Sequence, residues 1–237
     1  MNRVANRVGK GRRIQLLAGR THPKLAADVS DRLGIPLSDI VVENFANGEI
    51  RLRVNESLRG NDVFIIQSHA GHINEAIIEQ LLMIDAAKRA SARSITAVCP
   101  FLGYARQDRK SSGREPIGAR LVIDMLTTAG ADRIMSVDLH SGQIQGFFDG
   151  PFDHLIAMPV FKNYIREHYD VSEVVMVAPD AGRVKMAQRY STTLGTELAI
   201  IHKHRSKTQK NVAEARYLIG DVKGKVCLTV DDMIDTA

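Results

Sequence analysis

Tryptophan is absent from this 237-residue chain, and aromatic residues make up only 5% of it. Its cores must therefore be built from Val, Ile, Leu and Ala rather than from large rings. Cysteine is almost absent too. Cys99 and Cys227 stand far apart, which excludes a disulfide framework and a cysteine-rich zinc site. Both lie in apolar, strand-like segments and are read as buried core thiols in a reducing, cytoplasmic compartment. Long apolar runs are missing: none approaches the ~18 residues that a membrane-spanning helix needs, so no membrane role is expected. The basic start (Arg3, Arg7, Lys10, Arg12, Arg13) is not followed by the apolar segment of a secretory signal. Residues 1–12 are read as a disordered extension.

Charge is present in both signs, with a net excess of +5. A basic balance invites nucleic acid as a partner. Here, however, the cations concentrate at 106–114 and 202–210, with no interleaved aromatic residues to stack on bases. A small polyanionic ligand fits that clustering better, and no nucleic-acid partner is expected.

Apolar patterning predicts strands at 13–18, 40–42, 50–54, 62–67, 94–100, 133–138, 173–178, 197–202, 215–219 and 225–230. Helical periodicity covers 23–33, 74–92, 116–129, 159–169 and 184–194. Thr21 is expected near the first helix's N-cap, and Asn47-Gly48 marks a hairpin turn. The continuous run DVFIIQ at 62–67 suggests a strand buried on both faces. Such alternation predicts an α/β fold of parallel sheets flanked by helices. Two similar domains are expected, at 13–153 and 154–237. Open sheets of this kind bind ligands beyond the C-terminal ends of their strands.

Four strand ends carry chemistry. The first leads into Arg106, Gln107, Asp108, Arg109 and Lys110, whose guanidinium groups can grip phosphate oxygens bidentately. The second ends in Asp138 and His140. The third ends in Asp180, which suits either a helix cap or a metal ligand; with His140 it could share a Mg²⁺. The fourth ends in Asp231 and Asp232, followed by Asp235 and Thr236. Adjacent carboxylates repel unless a cation or sugar hydroxyls use them. Between the third and fourth, Lys203, Arg205, Lys207 and Lys210 lie in a segment without apolar anchors, which is expected to be a mobile cationic loop able to close on a polyphosphate.

These segments resemble the ribose-phosphate diphosphokinases, also called phosphoribosyl pyrophosphate synthetases. The motifs are FANGEI (45–50), RGNDVFIIQS (59–68), GYARQDRK (103–110), REPI (114–117), DLHSGQIQGFFD (138–149), APDAG (178–182), NVAE (211–214) and VDDMIDTA (230–237). VDDMIDTA would suit any phosphoribosyltransferase-type domain, whereas GYARQDRK with DLHSGQIQGFFD is far more specific. The resemblance implies two phosphoribosyltransferase-like domains, the second incomplete. It also implies transfer of the diphosphoryl group of Mg-ATP to the C1 hydroxyl of ribose 5-phosphate, releasing AMP.

By the same resemblance, Arg106, Gln107, Asp108 and His140 bind ATP. Phe45, Asn47, Gly48 and Glu49 reach that site from a neighbouring subunit of a homo-oligomer, a hexamer built of dimers. His140 and Asp180 are metal-site residues, Lys203 and Arg205 the catalytic cations. Arg205, Asp231, Asp232, Asp235, Thr236 and Ala237 hold ribose 5-phosphate. Asn47 stands where many members have Asp, and Arg183 where Gly is common. The chain is expected to stop inside the sugar-phosphate loop. Arg183 and that early stop also suit a catalytically weak or silent regulatory subunit of a synthetase. A nucleobase phosphoribosyltransferase would share VDDMIDT but would not need GYARQDRK.

Overall fold

The computed structural model describes residues 13–205 and 213–234. The basic extension expected at 1–12 lies outside the described residues. The chain divides into two compact units, the first ending at Leu155 and the second beginning at Ile156.

The first unit is built on a five-stranded parallel sheet of β1 (Ile14–Ala18), β4 (Asp62–Ile66), β5 (Ser94–Cys99), β6 (Arg133–Val137) and β7 (Phe152–Leu155), in that spatial order. Because every neighbouring pair is parallel, all five C-terminal ends lie along one edge. Helices α2 (Ile73–Arg89) and α3 (Gly118–Ala129) pack side by side against it. Their apolar stripes, including Ile77, Ile84, Ala87, Val122, Ile123 and Leu126, close the core over Leu17, Ile65 and Ile134. Each fully buried aliphatic side chain contributes roughly 1.5–3 kcal/mol, so this layer stabilises the edge from which the ligand loops project.

The N-cap of helix α1 (Pro23–Leu33) is His22, the residue after Thr21: His22 Nδ1 accepts from the Leu25 amide at 3.1 Å, and Pro23 supplies a preset φ at the first helical position. Thr21 instead donates its hydroxyl to Gln67 Oε1 at 2.8 Å. The strands β2 (Ile40–Asn44) and β3 (Ile50–Val54) form a separate antiparallel hairpin.

The second unit holds β8 (Val174–Ala178), β9 (Glu197–Arg205), β10 (Ala213–Ile219) and β11 (Val226–Leu228), ordered β10-β9-β8-β11, with helices α4 (Met158–His168) and α5 (Val184–Leu194). Strand β8, not β4, is buried along its whole length. β8 is parallel to both β9 and β11, whereas β10 runs antiparallel to β9. Cys99 is buried as expected, but Cys227 is exposed. It sits on the edge strand β11, where alternate residues face outward. Among the described residues no helix is long and apolar enough to cross a membrane.

Candidate functional site

Along the C-terminal edge of the first sheet, the loop after β5 runs from Pro100 through Gly103 and presents Arg106, Gln107 and Asp108. Arg106 and Gln107 are exposed and Asp108 is half-buried. The Gln107 amide donates to the Tyr104 carbonyl at 2.9 Å. Its own carbonyl accepts from the Ala119 amide of α3 at 3.2 Å, which ties the loop to the start of that helix. Gly118, the first residue of α3, lies directly beneath the Gln107 side chain: a Cβ there would stand 2.5 Å from Gln107 Oε1. Asp108 Oδ2 accepts from Gln143 Nε2 at 3.1 Å, which links this loop to the one after β6.

That second loop carries Asp138 and the half-buried His140. The Asp138 amide donates to the Leu155 carbonyl at 2.9 Å, and the Leu139 amide to His154 Nε2 at 3.0 Å, so β7 anchors it. Among the described residues, four non-glycine residues have positive φ, and three of them, Tyr104, Arg114 and Asp138, stand in these two loops. Side chains in that region carry local strain, which concentrates where a loop must hold a functional shape. Further along the β5 loop, Glu115 gathers the amides and hydroxyls of Ser111 and Ser112 at 2.7–3.0 Å. Those donors, Ser112 first, draw its carboxyl down to about 2.

The hairpin tip at 45–49 is exposed, with Phe45 at 53%. Its turn is closed by the Phe45 amide on the Glu49 carbonyl at 2.7 Å and the Gly48 amide on the Phe45 carbonyl at 2.9 Å. Asn47 Oδ1 accepts from the Glu49 amide at 3.1 Å, so its side chain shapes the turn.

In the second unit, Asp180 follows β8 and Asp231 and Asp232 follow β11, the parallel neighbour of β8. Asp180 acts as a cap, its Oδ1 accepting from the Arg183 amide at 3.1 Å. The Arg183 guanidinium then turns onto the other acids, Nε standing 2.7 Å from Asp231 Oδ1 and an Nη meeting Asp232 Oδ1. Asp231 Oδ1 also accepts from the Asp232 amide at 2.9 Å. Even so, burial first, and then the hydrogen bond shared with the Asp232 carboxyl, push the Asp231 carboxyl above its ordinary range. Their combined effect exceeds the pull of Arg183.

Lys203 and Arg205 are not in a loop. The backbone of β9 continues through Arg205, which pairs with Ala213 of β10. The basic stretch 206–212, with Lys207 and Lys210, lies outside the described residues, as do Asp235, Thr236 and Ala237. No cluster of three His, Cys, Asp or Glu side chains able to hold a metal occurs among the described residues. His140 belongs to the first unit and Asp180 to the second. Sequence reasoning passed over His69 and Gln80, buried polar residues beneath the first loop, and over buried Glu79, which instead holds Arg20 and Gln67. Their only sequence signal is polarity inside otherwise apolar stretches.

Comparison with known proteins matches residues 14–130 to the N-terminal domain of ribose phosphate pyrophosphokinase and residues 155–237 to the phosphoribosyl transferase domain. A ribose-phosphate pyrophosphokinase of Bifidobacterium longum is 59% identical over 225 residues, covering 94% of this chain and 66% of that protein. One of Streptomyces coelicolor is 54% identical, covering 95% and 69%. The crystal structure of phosphoribosylpyrophosphate synthetase from Mycobacterium smegmatis superposes with a TM-score of 0.86 at 53% identity, over 94% of this chain and 72% of that one. The chain thus spans about two thirds of the length of the relatives it matches.

Proposed function

Because the chain belongs to the ribose-phosphate pyrophosphokinase family, we propose that the protein transfers the diphosphoryl group of Mg-ATP to the C1 hydroxyl of ribose 5-phosphate, giving phosphoribosyl diphosphate and AMP. The observation that carries the reading is the gathering of Arg106, Gln107, Asp108 and His140 on two linked loops at one sheet edge. Guanidinium and amide donors there suit the triphosphate and the base of a nucleotide.

On this reading Arg106, Gln107, Asp108 and His140 bind ATP. The exposed hairpin residues Phe45, Asn47, Gly48 and Glu49 complete a neighbouring subunit's nucleotide site in a homo-oligomer. Asp231 and Asp232 receive the ribose hydroxyls, together with Asp235, Thr236, Ala237 and Arg205. Lys203 and Arg205 neutralise the transferred group. Phosphoryl chemistry of this type depends on positioning and on charge neutralisation rather than on a protein nucleophile.

A Mg²⁺ held mainly by ATP keeps several waters and takes only one or two carboxylates plus phosphate oxygens. Asp180 offers such a carboxylate oxygen. The imidazole of His140, a softer donor, suits an ordered water of the ion better. When bound, the ion would neutralise the β,γ-phosphates and orient them in line with the sugar hydroxyl.

AMP release from Mg-ATP, dependent on ribose 5-phosphate, tests the reading. It should be measured on this chain and on a version extended to the full length of its relatives. Binding of both ligands by the extended protein without AMP release would overturn it. Such a result would favour the silent regulatory subunit, a reading that Arg183 supports by already engaging Asp231 and Asp232.

A further inference from the structure

Beneath the loop that carries Arg106, Gln107 and Asp108 lies a closed polar network that the proposed reaction does not use. His69, three residues beyond the end of β4, is fully buried. Its Nε2 stands 2.7 Å from Gln80 Oε1 on α2, and its Nδ1 accepts from the Gly103 amide at 3.1 Å. The amide of Gln80 settles the tautomer. Its Nε2 faces two carbonyls, those of Ile65 at 3.2 Å and Val98 at 3.4 Å, so it must be the donor end. Oε1 therefore points at His69 and at the Cys99 thiol, 3.2 Å away. Facing an acceptor, His69 Nε2 must carry the proton, which leaves Nδ1 a bare lone pair for Gly103.

We propose that His69 is a positioning residue for the nucleotide-gripping loop, fixing its Gly103 amide through a neutral, Nε2-protonated imidazole. The proposal rests on the reading of that loop as an ATP site. Several observations converge on it. The His69 amide also donates to the Phe101 carbonyl at 2.9 Å, so backbone and ring hold both sides of the turn out of β5. Gly103 passes so close over the ring's base that a Cβ would meet His69 Cβ at 3.1 Å and Ile73 Cγ2 at 2.9 Å. Immediately afterwards the chain swings through the positive φ of Tyr104, so a displacement at Gly103 changes where Arg106 and Gln107 point. Burial pulls the His69 ring down to about 4, which keeps Nδ1 free of a proton at neutral pH.

The test uses the whole chain. Nitrogen-15 NMR of the imidazole is expected to show Nε2–H with unprotonated Nδ1; finding Nδ1–H in the unaltered protein overturns the proposal. Amide exchange is then compared in His69→Asn, whose Oδ1 can replace Nδ1, and in His69→Leu, which has no acceptor. The Gly103 amide should exchange at least about tenfold faster in the Leu variant, the loss of one buried hydrogen bond, and remain protected in the Asn variant. Mg-ATP affinity should fall by a similar factor in the Leu variant alone, with ribose 5-phosphate affinity unchanged in both. Unchanged exchange at Gly103 in the Leu variant, or equal ATP loss in both variants, overturns it. Failure of the unaltered protein to bind Mg-ATP would instead refute the nucleotide reading and leave the Gly103 result to stand by itself.

Discussion

The Arg183 guanidinium closes on Asp231, Nε to Oδ1 at 2.7 Å, and joins the strand end that supplies Asp180 to the one that supplies the acidic pair. Arg183 also reaches Asp232, whose side chain is only 6% exposed. Two adjacent carboxylates thus share the Arg183 cation. Arg183→Ala is expected to lower the stability of the chain by about 1.5–3 kcal/mol, the range for a hydrogen bond to a charged group, read as a shift in urea midpoint. Because the guanidinium occupies the acids assigned to the sugar, the same variant should bind ribose 5-phosphate about fivefold more tightly. Weaker sugar binding would show instead that Arg183 aligns the acids for the ligand.

Glu115 gives a pH prediction for the first loop. Its carboxyl is drawn from 4.5 to about 2 by Ser112 and Ser111, so the folded state favours the ionised form. The stabilisation is complete above the ordinary carboxylate value and disappears as pH falls through about 2. Chemical shifts of the Ser111 and Ser112 amides should therefore titrate near 2 rather than near 4.5. At neutral pH, Glu115→Gln should reduce the protection of both amides. A midpoint at the ordinary value would show that the turn does not hold its carboxylate.

Much of this architecture was legible because apolar periodicity is a direct record of burial. Strand β3 and helices α1 and α5 match the expected spans, and α2 buries Ile77, Ile84 and Ala87 as its pattern requires. Strand β7 was missed because Asp153 and His154 interrupt its apolar pattern; pairing with β6 defines it. The dense charge around Lys203 and Arg205 suggested a loop, yet ladder pairing with β10 outweighs that local preference. The strand-end positions of Arg106, His140, Asp180 and Asp231 follow from β/α alternation alone. The contacts of Arg183 with Asp231 and of His69 with Gly103 do not, since each joins residues distant in sequence.

The two cysteines should separate cleanly by reactivity. Cys99 is wholly buried, and burial lifts its thiol to about 12, opposed by the hydrogen bond to Gln80. Only the thiolate reacts, so this residue should be inert at neutral pH. Cys227 is exposed on β11. A thiol reagent should modify one equivalent in the native chain, mapped to Cys227 by mass spectrometry, and two in denaturant. Native modification of Cys99 would mean that the core beneath the β5 loop opens readily.

Gly118 provides the sharpest test of the nucleotide loop, because its missing side chain is what leaves room for Gln107. A Cβ would meet Gln107 Oε1 at 2.5 Å, Tyr104 Cδ1 at 3.1 Å and Gln107 Cβ at 3.2 Å. In an ordinary helix Gly→Ala is stabilising by roughly 0.5–1 kcal/mol. Here that gain is set against displacement of a side chain at an exposed surface, so Gly118→Ala should change stability little. Its effect should fall on the ligand: with Gln107 pushed aside, Mg-ATP affinity should drop about tenfold, the equivalent of one lost hydrogen bond, while ribose 5-phosphate affinity stays constant. Isothermal titration with each ligand separates the two effects. If Gly118→Ala binds Mg-ATP as the unaltered chain does, Gln107 is not part of the nucleotide site and the β5 loop must grip its ligand through Arg106 and Asp108 alone.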